Sequence, residues 1–305
     1  MVATGGSSGK LTNATQVVDL LSKKTCNEFP DYPITLAAAA EGVADSVPII
    51  CGGSDLSRVF SGCYAYNQLR NNWMFHANLT TPRAFHASVV IDKALWLTGG
   101  ISNTRNLLER KFLRGTEYIY ANGSMVQGPE LPHPNAGHCM VQLSDKRIML
   151  LGSEAKNAGQ SVTIFDANKQ SFSNTTNNNN LKLKFRRSAS ACTLFHSLKH
   201  NNRSVVLAVG STGTRTSEVL DYTQNNAAWE QSKCNSMIVD FHKFEQAKLI
   251  SIKFPTRLIF THLGMFLYGR TQKLANSLNG IRKNCIYFDG YRKERVIIRN
   301  GNFVF

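Results

Sequence analysis

The most regular feature of the chain is a short apolar run that ends at glycine. The run Val47–Cys51 precedes Gly52 and Gly53, and the run Ala94–Thr98 precedes a second glycine pair 47 residues later. A continuous apolar run is typical of a strand buried on both faces, and glycine permits the tight turn after it. The pattern therefore predicts a repeat protein built from β-strands. The repeat anchors are Gly5, Gly6, Gly52, Gly53, Gly99, Gly100, Gly152 and Gly210.

Each anchor is followed by a polar loop, a third strand, a polar turn and a large side chain. The large residue comes 19 or 20 positions after the anchor and is Trp73, Phe172 or Trp229. A strand that begins with small residues precedes each anchor, as in 84–90. Together these pieces predict four-stranded antiparallel blades, with small residues innermost and aromatic residues in the wedge between blades.

The double glycine, the tyrosine-like residue downstream and the tryptophan about 20 residues later resemble the kelch-repeat family of β-propellers. The resemblance is strongest over 47–110 and 205–230. It implies an all-β fold with six four-stranded blades in a ring. The chain begins within a blade, so we expect the ring to be complete only if a C-terminal segment, such as 295–299 or 302–305, pairs with the first strand.

Two domain-level regions are predicted, with blades over 1–233 and a different segment over 234–305. The second region contains an apolar run that ends at Gly269, which favours a degenerate sixth blade. The alternative is a basic tail unrelated to the repeats. Both interpretations remain open from the sequence.

Charge is concentrated at the end of the chain. The net charge is +15, and 12 of the 35 Lys and Arg residues lie in 234–305 with 4 of the 20 Asp and Glu residues. This excess suggests an anionic partner for the tail, although a solvated basic surface is the simpler alternative. No nucleic-acid-binding motif is recognisable, no apolar stretch is long enough for a membrane helix, and no cofactor is predicted. A further basic cluster at Lys182, Lys184, Arg186 and Arg187 is expected to be a solvated strand edge.

Cysteines and sequons favour a secreted or extracellular protein, with a cytoplasmic one as the alternative. Cys51 and Cys63 flank one glycine turn, and Cys139 and Cys192 occupy matching points of successive innermost strands. Both pairs are candidate disulfides, and buried free thiols are the alternative. Candidate glycosylation sites are Asn13, Asn78, Asn122, Asn174 and Asn202, each in an Asn-x-Ser/Thr sequon.

Little in the sequence indicates catalysis. His86 and His138 occupy similar places on successive innermost strands, with His262 as a third, and structural roles are favoured over a metal site. Copper radical oxidases use a kelch-type propeller with a tyrosine–cysteine cross-link, and Cys63 and Tyr64 are adjacent here without the accompanying ligands. No catalytic or metal-binding residue is therefore predicted.

The leading hypothesis is a non-enzymatic scaffold that binds a protein or another ligand through loops on one face, chiefly 101–115 and 153–161. This hypothesis rests on the resemblance to kelch proteins, which commonly bind other proteins. The alternatives are a divergent propeller enzyme, either oxidase or glycosidase-like, and a truncated product without function.

Overall fold

The protein consists of antiparallel β-sheets, and the part that the structure describes contains no α-helix. The structure is a computed structural model. It describes residues 2–4, 11–18, 25–26, 30–55, 57–102, 110–174, 181–197, 200, 203–211, 214–224, 226–231, 248–250, 286–288, 295–299 and 302–304.

The first two sheets contain the N-terminal strands. The first sheet contains β1 (Val2–Thr4), β2 (Thr15–Val18) and β3 (Thr25–Cys26). The second contains β4 (Ala40–Ala44), β5 (Val47–Cys51), β6 (Gly62–Asn67) and β7 (Asn72–Asn78).

The next three sheets each have four strands in chain order. The third contains β8 (Ala87–Ile91), β9 (Ala94–Thr98), β10 (Thr116–Ile119) and β11 (Met125–Gln127). The fourth contains β12 (Cys139–Ser144), β13 (Arg147–Leu151), β14 (Val162–Asp166) and β15 (Ser171–Asn174). The fifth contains β16 (Ala191–Ser197), β17 (Arg203–Ser211), β18 (Thr214–Leu220) and β19 (Glu230–Gln231).

The C-terminal region contributes to two sheets. Strand β20 (Lys248–Ile250) pairs antiparallel with β1 and becomes the fourth strand of the first sheet. The strands β21 (Ile286–Phe288), β22 (Arg295–Arg299) and β23 (Asn302–Val304) pair with one another in a three-stranded sheet. The expectation that a C-terminal segment pairs with the first strand is therefore confirmed, but the suggested segments 295–299 and 302–305 are wrong. The gap is filled from the C-terminal side, but by an earlier segment.

The innermost strands are β20 in the first sheet and the first strand in chain order in each of the next four sheets. They lie side by side in the order β20, β4, β8, β12 and β16. Apolar side chains fill the space between neighbouring sheets. Leu95 and Leu97 of the third sheet pack with Ile49 of the second, whereas Trp96 packs with Phe165 of the fourth. Alternate residues of β9 thus face different neighbours, which explains why this strand is apolar at nearly every position. The arrangement is compatible with a β-propeller.

Candidate binding face at the glycine turns

The two ends of the second, third and fourth sheets differ in the length of their connections, whereas in the fifth sheet only two residues separate β17 from β18. At one end, first and second strands are joined by the short turns 45–46, 92–93 and 145–146. At the other end, second and third strands are joined by the longer connections 52–61, 99–115 and 152–161, each of which begins at a glycine anchor. We call this end the glycine-turn face and the opposite end the hairpin face.

Four residues with left-handed backbone link the sheets at the glycine-turn face. They are Ala38, Phe85, Gly137 and Ala189, with φ values of 55°, 55°, 62° and 49°. The amide of Phe85 donates to the carbonyl of Ala38 (2.9 Å), Gly137 donates to Phe85 (2.8 Å), and Ala189 donates to Gly137 (2.7 Å). Each residue lies two positions before an innermost strand, so these bonds set the spacing of the sheets. The small residues near these positions are recognisable in the sequence, but the bonds between sheets are not.

Among the four described glycine anchors, the second position of the pair has a left-handed conformation in two sheets. Gly53 and Gly100 have φ values of 95° and 100°, and a Cβ on Gly100 would lie 2.7 Å from the carbonyl oxygen of Ala84. Glycine is therefore required there. Ser153 and Ser211 replace it in the fourth and fifth sheets without a positive φ. Gly5, Gly6 and Gly269 lie outside the described residues.

The segment that leads into each sheet ties it to the preceding glycine turn. The amide of Arg83 donates to Phe60 and its carbonyl accepts from Gly53. Equivalent backbone hydrogen bonds join Asn135 to Leu113 and Gly100, at 2.7–3.0 Å. Arg187 is joined in the same way to Gly159 and Ser153, at 2.7–2.8 Å. The base of each loop is thereby held by backbone hydrogen bonds from the next sheet.

Two of these lead-in residues also form buried ion pairs within their own sheets. The Arg187 guanidinium donates to Glu218 (Nε to Oε1, 2.7 Å) and to the carbonyls of Gly210 and Thr216. Arg83 makes the equivalent contacts with Glu117, Gly99 and Gly115. All four charged side chains are at most 2% exposed.

Each arginine of these pairs clamps the two ends of a glycine turn. Burial lowers the pKa of both guanidinium groups, and the paired glutamates oppose that shift. The expectation that Arg187 belongs to a solvated basic edge is wrong, although Lys182, Lys184 and Arg186 are exposed.

The loops of the glycine-turn face carry exposed cations. Arg58, Lys111 and Lys156 are exposed, one on each of the three long connections. The carboxylate of Asp55 accepts hydrogen bonds from Ser57 and Arg58, and these bonds lower its pKa to about 2.

An aromatic and charged cluster spans the third and fourth sheets at this face. The Arg110 guanidinium carbon lies 6.0 Å from the centroid of the Phe85 ring. Its Nη1 lies 3.5 Å from Oε2 of Glu154, and the amide of Glu154 donates to the carbonyl of Ala136. A Cβ on Gly137 would lie 3.0 Å from Cγ of Glu154, so the absence of a side chain there accommodates the glutamate. Phe85, Arg110 and Glu154 do not stand out in the sequence, because they are far apart in the chain and meet only through tertiary packing.

Both cysteine pairs suggested by the sequence are bonded. Cys51 and Cys63 are directly paired across β5 and β6, with Cα atoms 4.0 Å apart. Cys139 and Cys192 join the innermost strands of the fourth and fifth sheets, with Cα atoms 5.9 Å apart. Cys63 is therefore occupied by a disulfide and cannot form a cross-link to tyrosine.

His86 and His138, which immediately precede the innermost strands of the third and fourth sheets, are buried against the preceding sheet. Nε2 of His138 lies 2.7 Å from the hydroxyl of Thr98, and Cε1 of His86 would lie 2.8 Å from a Cβ on Gly52. No group of three or more His, Cys, Asp or Glu side chains suited to a metal ion occurs within the described part of the chain. His262 lies outside it.

The large outer-strand residues have the surroundings expected of wedge-filling side chains. Trp73 and Trp229 are buried, and their indole N–H groups donate to the carbonyls of Pro30 and Leu181, which lie on the segments leading into their own sheets. Phe172 is partly buried and packs against Trp96 and Phe165.

Comparison with known proteins supports the fold. No family model and no curated protein matches the chain. A solved structure described as "Structure of YjhT", a protein of propeller fold, is similar to 75% of this chain and 96% of its own, with 14% identity and a TM-score of 0.50. No long apolar helix that could cross a membrane is present in the described ranges. The chain thus shares with this propeller protein an all-β fold of four-stranded antiparallel sheets.

Proposed function

We propose that the chain is a kelch-type propeller scaffold of six blades that binds a protein partner through its glycine-turn face. The observation that carries the proposal is the asymmetry between the two ends of the sheets. Long connections lie together at one end, and their bases are held by hydrogen bonds from the next sheet. Loops held on a rigid frame are the usual arrangement for recognition.

The charges of these loops indicate a partner surface with acidic groups. Among the described side chains of the three loops, Asp55 and Glu154 are already paired with Arg58 and Arg110. Lys111 and Lys156 add positive charge at exposed positions. Complementary charge chiefly accelerates association and excludes wrong partners. The basic region 234–305 is proposed to strengthen such an interaction.

The test compares charge reversal on the two faces. The variant Lys111→Glu with Lys156→Glu alters the glycine-turn face. The variant Arg70→Glu with Lys169→Glu makes the same charge change on exposed turns of the hairpin face. Both are used as bait in quantitative affinity capture from cells that express the chain.

We expect a partner of the unmodified chain to lose at least about tenfold in recovery with the first variant, because several charge contacts are reversed. Recovery with the second variant should be unchanged. Equal recovery with both variants, or loss with the hairpin-face variant alone, would contradict the proposed binding face. Unchanged unfolding curves for both variants would show that the difference arises at the surface.

A further inference from the structure

The hairpin between β10 and β11 presents one sequon at an exposed tip. The tip comprises residues 120–124 and is closed by hydrogen bonds from Tyr120 to Ser124 and from Gly123 to Tyr120, both 3.0 Å. Gly123 has a φ of 85°, as such a tight turn requires. Asn122 and Ser124, the first and third residues of the sequon, are both exposed.

The side chains of this sequon are already placed against each other. Oδ1 of Asn122 accepts a hydrogen bond from the Ser124 amide (2.9 Å) and another from the Ser124 hydroxyl (2.7 Å). The amide oxygen therefore faces Ser124, and Nδ2 lies on the other side of Cγ. A group attached to Nδ2 would extend the side chain from an exposed tip without breaking either bond.

The other sequons whose asparagine side chains are described are tied into the fold. Nδ2 of Asn13 donates to the carbonyl of Tyr32 (3.0 Å), and Thr15 of the same sequon is buried. Asn78 is exposed, but the hydroxyl of Thr80 donates to Oε2 of Glu117 (2.6 Å), the carboxylate that pairs with Arg83. A glycan on Asn13 would displace a structural hydrogen bond.

These sequons also lie at different ends of the sheets. The amide that follows Asn78 donates to Ser61, and Asn13 lies in the connection between β1 and β2, so both adjoin the glycine-turn face. The tip with Asn122 joins a third strand to a fourth strand and lies at the hairpin face. A glycan there leaves the glycine-turn loops uncovered.

Both disulfides point to the compartment in which this modification occurs. Disulfides form and persist in oxidising compartments, where sequons are also modified. We propose that Asn122 is an N-glycan acceptor, modified as the chain passes through an oxidising secretory compartment. The inference does not depend on the proposed binding function.

The reaction is a group transfer without a redox step. The donor is an oligosaccharide attached to a polyprenyl diphosphate. The bond between the anomeric carbon C1 of the first sugar and the diphosphate oxygen breaks, and a bond between C1 and Nδ2 of Asn122 forms. A base of the transferase takes one proton from Nδ2, and the lipid diphosphate departs with the electron pair of the broken bond.

The tip with Asn122 also contacts the second sheet. Nε2 of His76 on β7 lies 2.9 Å from the carbonyl oxygen of Tyr120 at the tip. The strands β7 and β11 are the outermost strands of their sheets. A hydrated glycan near this edge would hinder pairing with another exposed strand.

The test is translation of the full chain, preceded by a cleavable signal sequence, in the presence of microsomes. Protease-protected chain is treated with peptide N-glycosidase in ¹⁸O water, and mass spectrometry reads each asparagine. We expect label at Asn122 and its loss in Ser124→Ala, which removes the sequon. Ser124→Thr should retain the label, because it preserves the hydroxyl.

Asn13→Gln and Asn78→Gln serve as matched controls and should leave the Asn122 label unchanged. Protected chain without label at Asn122 would overturn the proposal. Equal label at Asn13 or Asn78 would overturn the selectivity that the structure assigns to Asn122.

Discussion

The third and fifth sheets differ from the second and fourth at one pair of equivalent positions. The first position lies two residues before the left-handed residue. The second position is the cross-strand partner of the residue two positions before the glycine anchor. The third and fifth sheets have buried ion pairs there. At the same positions the second sheet has Leu36 and Tyr64, which belong to one apolar cluster. The fourth has Asn135 and Thr163.

The comparison shows that this pair is kept or replaced as a unit. No described sheet keeps the arginine without the glutamate, or the reverse. A buried charge without its partner costs several kcal/mol, whereas replacing both charges with well-packed neutral side chains is often neutral. The fold therefore accommodates either a buried ion pair or two neutral side chains at these positions, but not a single unpaired charge.

The largest predicted effect is the loss of one partner of the fifth-sheet pair. Glu218→Gln leaves the Arg187 guanidinium buried without a counter-ion. It should lower the free energy of unfolding by about 3–5 kcal/mol. Arg187→Leu should have a similar effect. Denaturant unfolding followed by tryptophan fluorescence measures both.

The double variant Arg187→Leu with Glu218→Tyr installs the pair used by the second sheet. We expect it to be more stable than either Arg187→Leu or Glu218→Gln. The interpretation of the pair as a replaceable unit is wrong if the double variant loses as much free energy of unfolding as the two single variants lose in sum.

A second prediction compares the glycine turns of the third and fourth sheets. Gly100→Ala places a methyl group against the Ala84 carbonyl in a left-handed conformation, and should cost about 2 kcal/mol. Ser153→Ala keeps an ordinary backbone conformation and loses one hydrogen bond to the Ala155 amide, which is worth about 1 kcal/mol. In calorimetric unfolding, Gly100→Ala should have a lower melting temperature than Ser153→Ala. The reverse order would contradict the assigned turn geometry.

The smallest predicted effect concerns the exposed pair of Asp55 and Arg58. The pKa of Asp55 is lowered from 3.8 to about 2 in the folded chain. The ionised Asp55 carboxylate therefore contributes to the free energy of unfolding above pH 4, and this contribution is lost as the pH falls toward 2. Because Arg58 is 66% exposed, this contribution should be only a few tenths of a kcal/mol.

Asp55→Asn should reduce the dependence of the free energy of unfolding on pH between pH 4 and pH 2. In the unmodified chain, about 0.5 M salt should weaken the same dependence. A loss as large as that of Glu218→Gln would contradict the contrast between exposed and buried pairs. Chemical shifts of the Asp55 side chain across the same pH range would locate the titration directly.

Local sequence was sufficient to locate most strands of the repeats. Gly52 and Gly99 follow apolar runs, and those runs are buried strands in the structure. It was insufficient for Arg187, which was grouped with exposed basic neighbours but is fully buried beside Glu218. Its partner is 31 residues away, and only the pairing of β17 with β18 brings the glutamate to it.

The same distinction applies to the candidate binding face. The loops 101–115 and 153–161 could be proposed from the sequence because they follow glycine anchors between predicted strands, and such connections usually run over the surface. The contact of Arg110 with Phe85 and Glu154 could not be predicted, since the three residues are far apart in the chain and Glu154 comes from a different sheet.

The amino-acid sequence alone determined the repeat, its strands and the turn positions that require glycine, because these depend on neighbouring residues and backbone conformation. Tertiary structure alone decided which segment completes the first sheet, which cations are buried and which sequon stands free at a tip. Those outcomes depend on contacts between residues far apart in the chain, where packing and desolvation act and local pattern contains no information.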